Sequence, residues 1–147
     1  MKPEQSGQVG VLVVEDSAIV RQRICEMLDE EPHLRVVGQA ADVAEALNLF
    51  EALRPNALVL DYRLPDGTGL QVLQHVKQAA PWCVVIMLTN LHEEMFGEIC
   101  RAAGADHFFH KATEFERIPE VLGRLAGGVL ASGSPPAPAR ELGAKRG

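Results

Sequence analysis

Acidic, hydroxyl-bearing and basic side chains follow four of the apolar runs in this sequence of 147 residues. Glu15 and Asp16 follow VGVLVV, Asp61 follows ALVL, Thr89 follows CVVIML, and Lys111 comes shortly after HFF. Neighbouring carboxylates supply the oxygen ligands that Mg²⁺ prefers, while lysine and hydroxyl groups bind phosphoryl oxygens. A carboxylate can also act as a nucleophile. These residue types therefore indicate metal-assisted phosphoryl transfer, provided that the fold brings them together.

Short apolar runs rich in β-branched residues predict the strands that would position these side chains. Such runs are typical of strands buried on both faces of a parallel sheet. Ligands of parallel sheets bind beyond the carboxyl ends of the strands, which is where the polar residues stand. The predicted strands are Val9–Val14, Leu34–Ala40, Ala57–Leu60, Cys83–Leu88 and the weaker Asp106–Phe109.

Apolar residues at steps of three and four predict a helix after each strand. Asp42 with Glu45 has the spacing of a capping box at the start of the second helix, and Thr113 with Glu116 has it at the start of the fifth. Pro119 inside the last pattern predicts a bend or a late start. The predicted helices cover residues 19–28, 42–54, 69–79, 92–103 and 115–125.

Alternation of strand and helix five times predicts an α/β sandwich with a parallel sheet and right-handed crossovers. If the strand order is 2-1-3-4-5, the first and third strands are neighbours, and Glu15, Asp16 and Asp61 lie side by side. Carboxylates ~4 Å apart repel each other by ~4 kcal/mol per pair at an effective dielectric constant of ~20. Lys111 supplies one positive charge, so we expect Mg²⁺ to complete the balance.

Composition excludes several other classes of protein. The formal net charge of −6 argues against a nucleic-acid-binding surface, which requires a basic face. No apolar run approaches the roughly 20 residues of a membrane span, and the polar start MKPEQSGQVG lacks the apolar core of a secretory signal. We therefore expect a cytoplasmic protein without a membrane partner, in which Cys25, Cys83 and Cys100 are buried reduced thiols.

Four segments in order, VVEDS, LVLDYRLPDG, VVIMLTN and GADHFFHK, resemble the response-regulator receiver domain of two-component signalling. The resemblance covers residues 8–126 and implies a flavodoxin-like doubly wound sheet of five parallel strands, order 2-1-3-4-5, with five helices. The chemotaxis regulator is the best-known single-domain member. Ala112 and Thr113, after the lysine, are closer to receivers that precede LuxR-type DNA-binding domains.

The resemblance implies a role for each residue of the metal and phosphoryl site. Asp61 corresponds to the phosphoacceptor, which takes its phosphoryl group from a histidine kinase or a phosphotransfer protein. Asp16 corresponds to a direct Mg²⁺ ligand and Glu15 to a ligand that acts through water. The backbone carbonyl of Arg63 would be the third protein ligand.

The resemblance also implies a switch that carries the phosphorylation signal to a partner. Lys111 would bind a phosphoryl oxygen and, before phosphorylation, would pair with Asp61. Thr89 would move its hydroxyl onto the phosphoryl group, and Phe108 would turn inward at the aromatic switch position. A downstream protein or a second receiver would then bind the face of the fourth helix, fifth strand and fifth helix.

Two features of the sequence depart from the family pattern near the site. Asn90 stands where small residues are usual, and it either narrows the entrance or caps the fourth helix together with Glu93. Arg63 and Leu91 occupy the positions that modulate how long the aspartyl phosphate survives. We expect these access residues to set the phosphorylated lifetime.

Alternatives remain for the function and for the extent of the chain. A small phosphatase would use Asp61 transiently, but it would carry a second acid where Arg63 stands. A flavodoxin-like cofactor binder would need a phosphate loop in place of EDSAIV. Residues 127–147 are rich in Gly, Pro and Ala and predict a flexible tail. Either a single-domain regulator or a receiver cut from a longer transcription factor fits this sequence, as does either a monomer or a phosphorylation-linked dimer.

Overall fold

Five apolar segments form one parallel sheet in a computed structural model of the protein, which describes residues 8–90, 94–111 and 113–132. Burial on both faces explains why these strands carry almost continuous apolar runs. A hairpin of two short strands lies outside this sheet. In chain order the strands are β1 (Val9–Val14), β2 (Leu34–Ala40), β3 (Ala57–Asp61), β4 (Arg63–Leu64), β5 (Gly67–Thr68), β6 (Val84–Thr89) and β7 (His107–His110).

Helices connect the strands of the parallel sheet, as the apolar periodicity predicts. Ser17 caps the first helix by accepting a hydrogen bond from the Val20 N–H at 3.3 Å. Asp42 caps the second by accepting from the Glu45 N–H at 2.8 Å, which confirms that predicted cap. The helices are α1 (Ala18–Asp29), α2 (Val43–Leu53), α3 (Gly69–Ala79), α4 (Glu94–Ala102) and α5 (Arg117–Ser132).

The strands of the sheet lie in the order β2-β1-β3-β6-β7, which confirms the predicted order 2-1-3-4-5. All four pairings are parallel, and β1 lies directly beside β3. Alternate residues of β1 enter two separate cores: Leu12 packs with α2 and α3, whereas Val11 packs with α1 and α5. Helices therefore cover both faces of the sheet, as a doubly wound fold requires.

The fifth helix differs from its predicted bounds at both ends. It begins at Arg117, because residues 113–116 form turns and Glu114 accepts a hydrogen bond from the His110 N–H at 2.9 Å. The capping box predicted from Thr113 and Glu116 is therefore wrong. Pro119 lies in the first turn, where a missing N–H costs nothing.

The same helix extends to Ser132, six residues beyond the predicted domain boundary at 126. The predicted domain boundary at 126 and the predicted flexibility of the segment after it stay predictions. Residues 133–147 lie outside the described part of the chain, so the character of the remaining tail stays a prediction. In the residues that the structure describes, no helix is long and apolar enough to cross a membrane.

Cys25, Cys83 and Cys100 are free and buried, as predicted. Burial raises the pKa of the Cys83 thiol to about 12, since a thiolate has no solvent there. These thiols are therefore part of the packing.

Candidate functional site

The carboxyl ends of the central strands bring the predicted chemical residues to one edge of the sheet. Glu15 directly follows β1, and Asp61 is the last residue of β3. These strands are paired up to Val14 and Leu60, so the two acidic residues emerge side by side. Thr89 ends β6, on the other side of β3.

Three carboxylates converge at this edge. Glu15, Asp16 and Asp61 each offer one oxygen atom, and these atoms lie within 4.8 Å of one another. Glu15 is 1% exposed and Asp61 is 5% exposed, whereas Asp16 faces solvent. The cluster therefore has a buried floor of two acids and one acid at its entrance.

Lys111 bridges the two buried acids. Its Nζ atom lies 2.7 Å from Glu15 Oε1 and 3.2 Å from Asp61 Oδ2. Burial alone would lower the pKa of Lys111, but the hydrogen bond with Glu15 and the charge of Asp61 raise it above its ordinary value. The lysine therefore stays charged, and its shorter contact is with Glu15, a partner that the sequence did not predict.

The electrostatics of Asp61 show that one lysine does not balance the cluster. Burial, followed by the charge of Glu15, raises the pKa of Asp61 from 3.8 to about 6. Lys111 opposes this shift and Asp16 adds to it. The three carboxylates and one lysine leave this site with excess negative charge, which favours the binding of a cation.

Helix α1 holds the backbone that carries the first two acids. The Arg21 guanidinium donates a hydrogen bond to the backbone carbonyl of Glu15 at 2.6 Å. The Ser17 N–H donates to Glu15 Oε2 at 3.1 Å. The contact of Arg21 could not be predicted from the sequence, because no local pattern shows that a helix side chain reaches back to the end of the preceding strand.

The loop after Asp61 is held in place by glycine. The Gly69 N–H donates a hydrogen bond to the Tyr62 carbonyl at 2.6 Å. A methyl group added at Gly69 would overlap the backbone carbonyl of Asp61. A side chain at position 69 would therefore displace the strand end that carries Asp61. Arg63 lies in the loop between Asp61 and Gly69 and has an exposed side chain.

Thr89 and Phe108 lie on neighbouring strands beside the site. Thr89 is 2% exposed, and its carbonyl accepts a hydrogen bond from the Lys111 N–H at 2.8 Å. Phe108 is half-buried, and its ring lies 3.3 Å from where a Cβ at Gly97 of α4 would stand. Because Gly97 has no side chain, the Phe108 ring can lie close to α4.

A family model described as the response regulator receiver domain matches residues 11–123. The match includes every strand end that contributes to the site. The chain belongs to the response regulator receiver domain family. This membership confirms the resemblance found in the sequence.

Curated relatives of this receiver domain are longer proteins. A protein-glutamate methylesterase/protein-glutamine glutaminase of Methanospirillum hungatei is 33% identical over 119 residues, which cover 80% of this chain and 35% of that protein. A protein of the same description from Pseudomonas fluorescens is 36% identical over 119 residues, which cover 80% of this chain and 32% of the relative. The chain spans about a third of the length of these relatives.

Solved receiver structures share the fold over most of their length. The response regulator domain of Thermotoga maritima CheB has a TM-score of 0.72 at 28% identity, covering 84% of this chain and 97% of that one. The signal receiver domain of the putative response regulator NarL from Mycobacterium tuberculosis has a TM-score of 0.75 at 29% identity. The match covers 82% of this chain and 98% of that one. Both similarities support the doubly wound receiver fold.

The predicted access residues of the receiver domain are only partly described. Arg63 and Asn90 have exposed side chains. Leu91 lies outside the described residues, as does Glu93, the predicted capping partner of Asn90. The choice between a cap and a narrowed entrance therefore stays open.

Proposed function

We propose that Asp61 is the phosphoacceptor of this receiver domain. The observation that carries the proposal is the burial of Asp61 between Glu15 and the Lys111 ammonium at the carboxyl end of β3. A carboxylate in this position is held in a fixed orientation and faces a cation that can bind a phosphoryl oxygen.

The donor set fits Mg²⁺. Three carboxylates supply hard oxygen ligands within 4.8 Å, and burial together with the charge of Glu15 raises the pKa of Asp61 despite the nearby Lys111. Glu15, Asp16 and Asp61, with the backbone carbonyl of Arg63, would hold the ion. When bound, Mg²⁺ supplies positive charge to the oxygens of the transferring group.

The protein's own residues then orient and stabilise the transfer. A carboxylate oxygen of Asp61 attacks the phosphorus of a phosphohistidine on a kinase or phosphotransfer protein. The bond from phosphorus to the imidazole nitrogen breaks, and the imidazole leaves with its electron pair. Lys111 binds a phosphoryl oxygen, which moves its charge from the acids to the new group. In hydrolysis a water oxygen attacks the phosphorus, the bond to Asp61 breaks, and the carboxylate and phosphate are released.

Thr89 and Phe108 link the phosphorylated site to a partner surface in this proposal. Phosphorylation adds charge and acceptor oxygens, which favours a position of the Thr89 hydroxyl close to the phosphoryl group. Phe108 then moves inward between β6 and α4, biasing a two-state equilibrium of α4, β7 and α5. Exposed Glu98 and Arg101 on α4 belong to the face that a downstream protein or second receiver would bind.

Labelling with a small phosphodonor tests the assignment of Asp61. Acetyl phosphate with Mg²⁺ should phosphorylate the wild-type protein and should leave Asp61→Asn unlabelled. Asp29→Asn removes an exposed carboxylate with the same chemistry and should be labelled like the wild type. Intact mass and the acid stability of the product measure the outcome. Labelling that persists in Asp61→Asn would refute the proposal.

A further inference from the structure

The segment after the proposed phosphoacceptor forms a hairpin that is too small to be stable by itself. Strands β4 and β5 pair through two residue pairs, Arg63 with Thr68 and Leu64 with Gly67. Pro65 and Asp66 form the turn between them. An isolated two-stranded hairpin is marginally stable at best, so contacts with the rest of the domain must fix its position.

Asp66 attaches the tip of this hairpin to the N-terminus of α2. Its Oδ1 atom accepts a hydrogen bond from the Val43 N–H at 2.7 Å, and its Oδ2 atom accepts from the Ala44 N–H at 3.1 Å. Both donors belong to the first turn of a helix, where the amides lack partners within the helix and the helix dipole favours a negative charge. The bond from Val43 also lowers the pKa of Asp66, so the carboxylate is charged at neutral pH.

Packing on both sides of Asp66 brings the same two elements together. Leu64 is 8% exposed and belongs to the core that also contains Val43. A Cβ placed at Gly67 would stand 3.3 Å from a methyl group of Val43, so the hairpin backbone runs close to α2. Asp66 therefore supplies polar contacts at a point where little space remains for movement.

We propose that Asp66 is a positioning residue for the metal site. By tying the hairpin to α2, it fixes where the backbone of Arg63 lies, and so it sets the affinity of the Asp61 site for Mg²⁺. This inference rests on the proposed function, in which the carbonyl of Arg63 is a metal ligand. A backbone carbonyl cannot reposition itself by rotating a side chain. The position of the Arg63 carbonyl therefore depends on the contacts that hold the hairpin.

Asp42 is the control residue that distinguishes the proposed role of Asp66 from ordinary helix capping. Asp42 precedes the same helix and accepts a hydrogen bond from its third amide, that of Glu45, at 2.8 Å. Asp66 satisfies the first two amides but comes from the hairpin, 23 residues away in sequence. Removing either carboxylate frays α2, whereas removing Asp66 also releases the hairpin.

Magnesium titrations of the whole chain by calorimetry test the inference. Asp66→Ala should raise the Mg²⁺ dissociation constant roughly tenfold, the size seen when partners that orient metal ligands are lost. Asp66→Asn keeps one acceptor oxygen and should fall in between. Asp42→Ala should lower the melting temperature to a similar extent as Asp66→Ala, yet bind Mg²⁺ with wild-type affinity. The rate of acetyl phosphate labelling at saturating Mg²⁺ should stay close to wild type in all three.

Two results would overturn the role of Asp66: wild-type Mg²⁺ affinity in Asp66→Ala, or an equal loss of affinity in Asp42→Ala. Asp61→Asn in the same titration separates this failure from that of the proposed function. If Mg²⁺ bound the wild type and Asp61→Asn equally well, the metal site itself would be wrong, whatever Asp66 does.

Discussion

Replacing Asp61 by asparagine should stabilise this protein when no divalent cation is present. The charge of Asp61 is held in a buried position next to Glu15, and its pKa is raised to about 6 by burial and by that neighbour. Asparagine has nearly the same shape without the charge. Lys111 retains its 2.7 Å contact with Glu15, so the substitution leaves no cation without a partner.

The pKa gives the size and the sign of the effect. Ionisation of Asp61 in the folded protein, relative to its ordinary value of 3.8, costs about 1.4 kcal/mol for each unit of the shift, which totals about 3 kcal/mol. Because the folded-state pKa is raised, this cost is absent below about pH 4, grows between pH 4 and 6, and is complete above pH 6. A gain of about 3 kcal/mol corresponds to roughly 6–12 °C in melting temperature for a chain of this size.

Thermal and urea unfolding from pH 4 to 7.5 in EDTA measure this difference. Asp61→Asn should be the more stable protein above pH 6, and the two curves should converge near pH 4. Asp29→Asn, at an exposed position in α1, should follow the wild type within about 0.5 kcal/mol. Saturating Mg²⁺ should stabilise the wild type and leave Asp61→Asn almost unchanged, because binding to the folded state adds its free energy to stability.

Two results would refute this reasoning. Equal stability of Asp61→Asn and the wild type at pH 7.5 in EDTA would show that the acid cluster carries no unbalanced repulsion. A stability difference that did not change with pH would show that the effect arises from packing instead of charge.

Three further variants probe the lysine, the loop and the entrance of the site. Lys111→Gln removes the cation between two buried carboxylates and should cost about 3–5 kcal/mol at pH 7.5, measured by urea unfolding. The loss should be smaller at pH 5, because the raised pKa of Asp61, about 6, leaves that carboxyl group largely protonated there. Gly69→Ala should destabilise by about 1–3 kcal/mol in the same assay, because its methyl group overlaps a backbone carbonyl. Arg63→Asn with Leu91→Glu should change the autodephosphorylation rate, followed by loss of label from the phosphorylated protein.

Each of these substitutions has a control or a contradicting outcome. Gly123→Ala, in α5, would place a methyl group no closer than 3.9 Å to Glu31, so it should stabilise by about 0.5–1 kcal/mol. A stabilised Gly69→Ala would mean that the loop has room. The account of Lys111 would fail if its substitution cost the same at both pH values. Unchanged dephosphorylation in the double variant would remove Arg63 and Leu91 from the control of lifetime.

Sequence patterns predicted most of the fold because its strands are buried on both faces. Continuous apolar runs locate β1, β2 and β3 to within one residue, and three-to-four spacing locates α2 and α3 equally well. The fifth helix was harder to predict. Glu114 accepts a hydrogen bond from the His110 N–H, and the predicted capping box of Thr113 and Glu116 does not form. The spacing of capping residues alone does not show which backbone group a side chain will bind.

Residues of the candidate site stand out in the sequence for the same reason that the strands do. A charged or hydroxyl residue at the end of a buried strand stands out against its apolar neighbours, as Glu15, Asp61 and Thr89 do. The supporting contacts carry no such signal. Arg21 resembles any other helix arginine until the fold places its guanidinium on the carbonyl of Glu15.

The sequence by itself determined the order of the elements and which side chains stand at the carboxyl ends of the strands, because apolar periodicity is local. Tertiary structure alone decided that Lys111 lies closer to Glu15 than to Asp61, that Gly69 must lack a side chain, and that Asp66 joins the hairpin to α2. These contacts link residues on separate elements. These contacts form only when the helices and loops pack against the sheet, and no local sequence pattern predicts that packing geometry.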